Sequence, residues 1–338
     1  MSKSSSWRSA AAVNWLLIAA LITAAFLGSY EYFAPSKENA AESGESAGGS
    51  NSTATTAAAV AAFSSAEPGT CLTWDISADS PVSNFQEVTC DKEHRFEVSA
   101  REDLSTYPTS EFGPSATRPE LNRQDQLRDE LCQSSTLTYL KSKWDPSGKF
   151  DIASILPPQG AWDEGDRTLL CGLQTTDDKG VPQLSTGNVA AVDQSILASP
   201  GQCRVIGEDQ VVRTVDCSQP HQLETVSTVN LAEKYPEGYP GSEELDKYLG
   251  QTCTAAATEY LGNEENLYQS TLQPFWGSLS EGSWNGGSRS VNCSLVHSNE
   301  NGFSTITGSA KGGRDALNID GKAPEERPAR DPIREPAR

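Results

Sequence analysis

The chain has 338 residues, with 46 acidic and 26 basic side chains, a net charge of −20, 36% hydrophobic content and eight cysteines. That length allows two ordinary domains once tails and linkers are set aside. The acidic balance excludes a general nucleic-acid binder and a polybasic lipid-surface binder, both of which need basic residues against phosphates.

Residues 1–8 carry Lys3 and Arg8, after which 22 uncharged residues run to Glu31. As a helix rising about 1.5 Å per residue, this stretch reaches roughly 33 Å, enough for the hydrocarbon core of a bilayer. A single-pass transmembrane anchor is predicted over 9–33. Trp7 and Trp15 at one end, and Tyr30, Tyr32 and Phe33 at the other, suit the two interfaces. Basic residues before the segment and Glu31 after it put the N-terminus in the cytoplasm and the body outside. The alternative, a cleaved signal peptide, fits less well with the long apolar run and with Pro35 just after it.

Residues 34–66 read as a flexible linker. Of residues 35–66, 23 are Ala, Ser, Gly or Thr, too little apolar surface to offset the ordering entropy. At the far end, 298–338 reads as a disordered charged tail, rich in Pro, Arg, Asp and Glu from about Lys311 onward.

Between these lies an internal repeat. Pro68-Gly69-Thr70-Cys71 is matched by Pro200-Gly201-Gln202-Cys203. Cys90, His94 and Glu97 are matched by Cys217, His221 and Glu224 at identical offsets. Cys132 precedes Tyr139 as Cys253 precedes Tyr260. Trp162, Gly165, Arg167 and Cys171 are matched by Trp284, Gly287, Arg289 and Cys293. A first four-cysteine module is expected over 67–174 and a second over 199–297, with a linker over 175–198. In an exported segment, paired cysteines are the default. First-to-second separations of 19 and 14, and third-to-fourth separations of 39 and 40, favour Cys71–Cys90, Cys132–Cys171, Cys203–Cys217 and Cys253–Cys293.

Residues 95–99 and 224–229 are partly alternating and β-branched, which predicts strands. Leu245, Tyr248, Leu249, Cys253, Ala256 and Tyr260 fall at helical spacing, with Glu243 and Glu244 opening the helix and Gly262 closing it. In the first copy the stripe is Leu127, Leu131, Cys132 and Tyr139. Each module is therefore expected to be a helix on a small antiparallel sheet, an α+β fold.

His94 with Glu97, and His221 with Glu224, are the candidate ligand-contact pairs, together with Trp162, Arg167, Trp284 and Arg289. On a strand, residues three apart point to opposite faces, so cooperation within each His/Glu pair is not implied. The structural reading, a histidine hydrogen-bonded in the turn after the bridge, outweighs acid/base chemistry. Arg167 and Arg289 are candidate partners of Glu97 and Glu224. Trp162 and Trp284 read as core or bridge-shielding residues, with an aromatic-plus-arginine ligand patch as the minority view. Cys-x3-His spacing suggests a metal, but bridged sulfurs make poor ligands, and no C-x2-C or H-E-x-x-H motif is present. No catalytic residue, metal or cofactor is expected.

The doubled set, Gly-x-Cys, Cys-x3-His-x2-Glu, Cys-x6-Tyr and Trp-x2-Gly-x-Arg-x3-Cys, resembles the septum-formation family of actinobacterial envelope proteins over about residues 67–297. The second copy, with Pro220 before His221, is closer to the family pattern than the first, which has Glu93 there. The resemblance implies a membrane-anchored extracytoplasmic protein associated with division-septum formation. The expected function is an interaction module of the cell envelope, whose partner is an envelope protein or a wall polymer. A metal- or redox-responsive envelope sensor is the alternative, and a wall-acting enzyme is third.

Overall fold

The computed structural model describes Phe63 and residues 65–77, 83–208 and 211–328. The anchor expected at 9–33 and most of the 34–66 linker lie outside the described residues. Among the described residues no helix is long and apolar enough to cross a membrane. The chain divides into two compact units between Gln194 and Ser195, with Asn285–Gly287 grouped with the first.

In the first unit, β1 (Cys71–Asp75), β2 (Ser83–Val88), β3 (Phe96–Asp103), β4 (Asp151–Ile155) and β5 (Thr168–Gln174) form an antiparallel sheet in the order β2-β1-β3-β5-β4. Helices α1 (Leu121–Leu127) and α2 (Gln133–Tyr139) are joined by one π-helical turn, Arg128–Cys132, ending on the bridged cysteine. A short helix, α3 (Gln159–Asp163), carries Trp162. Leu104, Leu127, Cys132, Leu140, Trp162, Leu169 and Cys171 pack together in one cluster. A second cluster holds Phe63, Ala66, Leu72, Trp74, Phe96, Val98 and Leu170. Neighbours on β5 alternate between the two clusters, so every residue of this strand is buried and it reads as a continuous apolar run.

Gly172 sits on β5 at a bulge, where the register against β3 slips between Val98 and Ala100. A β-carbon there would overlap the Glu97 carbonyl oxygen and the Phe96 ring. Gly172→Ala is expected to destabilise the first unit by about 2–3 kcal/mol, because backbone as well as side chain must move. Urea unfolding checks this, and an unchanged midpoint would contradict it. Ser294 stands at the corresponding bulge of the second unit, where Leu223 replaces the phenylalanine ring.

Asp151 opens β4 and is partly buried. Loss of solvation pushes its carboxyl up to about 6, with the Arg128 guanidinium pulling the other way. For an acid whose folded pKa lies above its unfolded value, stability is lost as pH rises from about 4 to about 6 and stays lost above. Asp151→Asn is therefore expected to gain about 1–3 kcal/mol at pH 7.5 and nothing at pH 4. Denaturation at the two pH values reads the difference, and equal effects at both would refute the assignment.

In the second unit, β6 (Cys203–Ile206), β7 (Val212–Val215), β8 (Leu223–Asn230), β9 (Gln273–Trp276) and β10 (Ser290–Val296) give the order β7-β6-β8-β10-β9. This is the first sheet's order, strand for strand. Helix α4 (Leu231–Lys234) follows β8, and α5 (Ser242–Leu261) buries Leu245, Leu249, Cys253 and Ala257 at four-residue spacing. That stripe packs with Val229, Val291, Cys293 and Leu295. Gly262 closes the helix at φ +93, a left-handed cap that glycine adopts without a side-chain clash. Two short helices complete the unit, α6 (Glu264–Ser270) and α7 (Glu281–Gly286).

The bridges join Cys71–Cys90, Cys132–Cys171, Cys203–Cys217 and Cys253–Cys293, leaving no free cysteine among the described residues. In each unit one bridge ties a strand to the turn just past its neighbour, and the other fastens the helical segment to an inner strand, β5 or β10.

Two stretches differ from the sequence expectation. Residues 298–328, read as tail, are folded. They form β11 (Ser298–Asn299), β12 (Gly302–Phe303), β13 (Ile306–Thr307) and β14 (Asn318–Ile319), and they bury Ile306, Ala310, Leu317 and Ile319 in the core. Residues 175–194, read as linker, run back over the first unit and bury Val189 and Gln194. Both stretches are short of apolar residues, and what orders them is pairing with distant backbone rather than a local pattern.

Candidate functional site

The motif histidines and glutamates converge beneath these returning stretches, here called straps. In the first unit His94 and Ser185 exchange backbone hydrogen bonds of 2.9 and 2.8 Å, and the Gly187 amide donates to the Cys90 carbonyl at 2.6 Å. In the second, His221 and Ile306 exchange bonds of 2.9 and 2.7 Å, and the Gly308 amide donates to Cys217 at 2.7 Å. Gly187 and Gly308 have φ of +84 and +88, so a side chain would be strained at either position.

Each glutamate latches its strap. Glu97 accepts from the Tyr139 hydroxyl at 2.8 Å and from the Val189 amide at 2.7 Å. Glu224 accepts from Tyr260 and Ser309 hydroxyls, both at 2.7 Å, and from the Ala310 amide at 2.6 Å. Both carboxylates are 1% exposed, so these donors replace water. Burial, reinforced by the adjacent carboxylate, pushes the Tyr139 and Tyr260 phenols well above their ordinary range. The tyrosines therefore remain protonated donors at any physiological pH.

The histidines are 1% and 0% exposed. Nδ1 of His94 lies 2.9 Å from the Lys92 carbonyl, and that of His221 lies 2.8 Å from the Gln219 carbonyl. A carbonyl can only accept, so Nδ1 carries the proton in each ring. In the neutral imidazole, Nε2 then presents a lone pair. Ser185 Oγ stands 3.5 Å from that atom in the first unit. In the second, Nε2 is buried and has no hydrogen-bond partner among the described residues.

The structure thus brings each His/Glu pair together, against the strand-period expectation. Each histidine precedes its strand, since β3 begins at Phe96 and β8 at Leu223, so the two-residue alternation does not govern it. Ligand atoms of Cys71, His94 and Glu97 all lie within 4.8 Å of one another, as do those of Cys203, His221 and Glu224.

The arginines do not pair with the glutamates. Arg167 is 5% exposed and stacks over the Trp162 ring at 4.1 Å. Its guanidinium donates to the carbonyls of Trp162 at 2.6 Å, Gly113 at 2.9 Å and Phe112 at 3.1 Å. Arg289 stacks over Trp284 at 4.6 Å and donates to the Trp284 and Ser288 carbonyls. Backbone carbonyls take up the guanidinium donors, while tyrosine hydroxyls and strap amides occupy the glutamates. Trp162 Nε1 donates to the Ala116 carbonyl at 2.8 Å, and both tryptophans pack in the clusters that hold the helix-to-strand bridges.

Sequence reasoning missed the straps and the role of the tyrosines. A signal existed: Thr186-Gly187-Asn188 and Thr307-Gly308-Ser309 recur at nearly equal distances beyond Cys171 and Cys293.

The family model described as Septum formation matches residues 68–293, a span that runs through both units. The chain belongs to the septum-formation family. Two similar proteins are the uncharacterized membrane proteins MT3943 and Rv3835 of Mycobacterium tuberculosis, from strains CDC 1551 and H37Rv. Each is 36% identical over 271 residues, covering 78% of this chain. The chain spans 58% of the length of either relative. No solved structure matches. In this septum-formation protein the matched span ends at Cys293, before the second strap begins.

Proposed function

We propose that this septum-formation protein is a membrane-tethered, extracytoplasmic interaction module built as two tandem copies of one disulfide-stapled domain, acting at the division septum. The family match across residues 68–293 carries the reading. The membrane tether is supported by the apolar run at 9–33 and by relatives named as membrane proteins. His94, Glu97, Trp162, Arg167, His221, Glu224 and Trp284 are buried and bonded or packed within their own units, which suits residues that frame each module rather than side chains that touch a partner or substrate at its surface. The partner is an envelope protein or a wall polymer.

A fluorescent fusion of the full chain, expressed in its host, tests this. The signal is expected to concentrate at forming septa, and depletion to delay septation. A uniform peripheral signal with normal septa on depletion would overturn the reading. One observation favours a second reading, a metal- or redox-responsive sensor: the convergence of Cys203, His221 and Glu224.

A further inference from the structure

We propose that the second unit holds a redox-gated zinc site, in which reduction of the Cys203–Cys217 bridge frees two thiolates that bind one Zn²⁺ together with His221 Nε2 and a Glu224 carboxylate oxygen. Four ligands of these types are what zinc takes in a closed tetrahedral site.

Three of the four ligand residues already converge. Ligand atoms of Cys203, His221 and Glu224 lie within 4.8 Å of one another, and all three residues are buried. A tetrahedral zinc with bonds of about 2.0–2.3 Å holds neighbouring ligand atoms roughly 3.5 Å apart, a small contraction from this arrangement. Cys203 and Glu224 are register partners across β6 and β8, so their side chains share a face. The fourth ligand, Cys217 Sγ, is bonded to Cys203 Sγ in the oxidised state.

The histidine is prepared for a metal. Its Nδ1–H is fixed on the Gln219 carbonyl, leaving Nε2 as a buried lone pair with no partner among the described residues. A backbone carbonyl behind the far nitrogen is the usual support that orients a metal-bound imidazole. Glu224 is oriented in the same manner. Its Oε1 takes the two hydroxyl donors, while Oε2 accepts only the Ala310 amide and keeps a lone pair.

Oxidation closes the site, because a bridged sulfur is not a thiolate. The opening step needs a dithiol reductant. A reductant thiolate attacks Cys217 Sγ, which is partly exposed while Cys203 is enclosed. The mixed disulfide then resolves through the second reductant thiol. The protein S–S bond breaks, an S–S bond forms in the reductant, and two electrons and two protons reach Cys203 and Cys217. Zinc binding displaces those two protons to solvent. The ladder at Cys203↔Val215 and Cys203↔Glu224 holds the strands when the bridge is open. The bridge Cys253–Cys293 is fully enclosed and lies beyond the reductant's reach.

The first unit repeats the triad but is less ready. Ser185 Oγ faces His94 Nε2, where the second strap supplies Ile306, which has no side-chain hydrogen-bond donor. Its outer sulfur, on Cys90, is also buried. The second unit therefore loads first.

The test uses the full 338-residue chain. Oxidised protein is treated anaerobically with dithiothreitol, desalted and titrated with Co²⁺, then with Zn²⁺. Thiolate-to-cobalt and tetrahedral d–d bands are expected only after reduction, at one cobalt per chain, and are bleached by equimolar zinc. His221→Gln is expected to weaken cobalt binding on the order of tenfold or more. Cys217→Ser leaves Cys203 as the single thiolate, so the thiolate band should weaken and no longer require prior reduction, whereas His94→Gln should change neither the band nor the affinity. Near-UV circular dichroism reports whether each variant stays folded. Absence of cobalt bands in reduced, folded protein overturns the proposal, as does unchanged binding by folded His221→Gln. Loss of the near-UV signal on opening Cys203–Cys217 alone also overturns it, since no assembled site would survive.

Discussion

Glu224→Ala is expected to destabilise the second unit by about 3–5 kcal/mol, the cost of breaking a buried charged network from one side. Three donors lose their acceptor: the Tyr260 and Ser309 hydroxyls and the Ala310 amide. Each buried donor left unpaired costs about 1–3 kcal/mol, partly relieved where water can enter. The damage should concentrate on the strap, so amide exchange at Ala310 and Ile306 should rise before exchange in β8 and β10. Glu224→Gln should lose less, because an amide oxygen still accepts while its NH₂ meets donors. Chemical denaturation with exchange mass spectrometry measures both effects. A loss under about 1 kcal/mol for the alanine variant would mean that the carboxylate is not the latch.

Removing the helix-to-strand bridges should be comparably costly. In the chain-entropy account, a bridge stabilises by restricting the unfolded chain, more so for longer loops. Cys132–Cys171 and Cys253–Cys293 close loops of 39 and 40 residues, against 14 for Cys203–Cys217. Paired alanine substitutions should cost about 4 kcal/mol for either long loop and about 3 kcal/mol for the short one. All four long-loop sulfurs are fully buried, so lost packing adds to the entropic penalty. Unfolding midpoints of the three double variants in one buffer give the ranking. A short-loop variant less stable than both others would reject it.

Where sequence and structure agree, the reason is locality. Leu245, Leu249, Cys253 and Ala257 announce α5 because a helix writes its buried face at fixed spacing, and Gly262 ends it through its own backbone freedom. The motif cysteines and the Trp–Arg corners repeat at matched offsets, so their shared importance was plain even though the arginine's partners were not. Besides the nearby Trp162 carbonyl, the carbonyls around Arg167 come from Phe112, Gly113 and Pro114, more than fifty positions away, and no residue type advertises a free carbonyl. The straps were illegible for a related reason. Ser185 and Ile306 serve through main-chain pairing with His94 and His221, which any residue can provide. The His/Glu convergence was hidden by strand periodicity, which the histidines escape by lying just outside β3 and β8. The π-helical turn at Arg128–Cys132 accounts for the untidy stripe in the first copy, since one wide turn shifts the phase of everything before it.

The position of the second strap bears on how this protein can be divided. A fragment ending at Val296, just past the last cysteine, would retain all four bridges yet lack Ile306, Gly308, Ser309 and Ala310. Its Glu224 would face solvent with Tyr260 alone, the His221 backbone would lose its pairing, and the apolar floor under Ile306, Leu317 and Ile319 would be uncovered. Such a truncation is primed to self-associate through that bared surface. A soluble piece faithful to the native unit must therefore extend through at least Lys322, whose carbonyl receives the Ile319 amide.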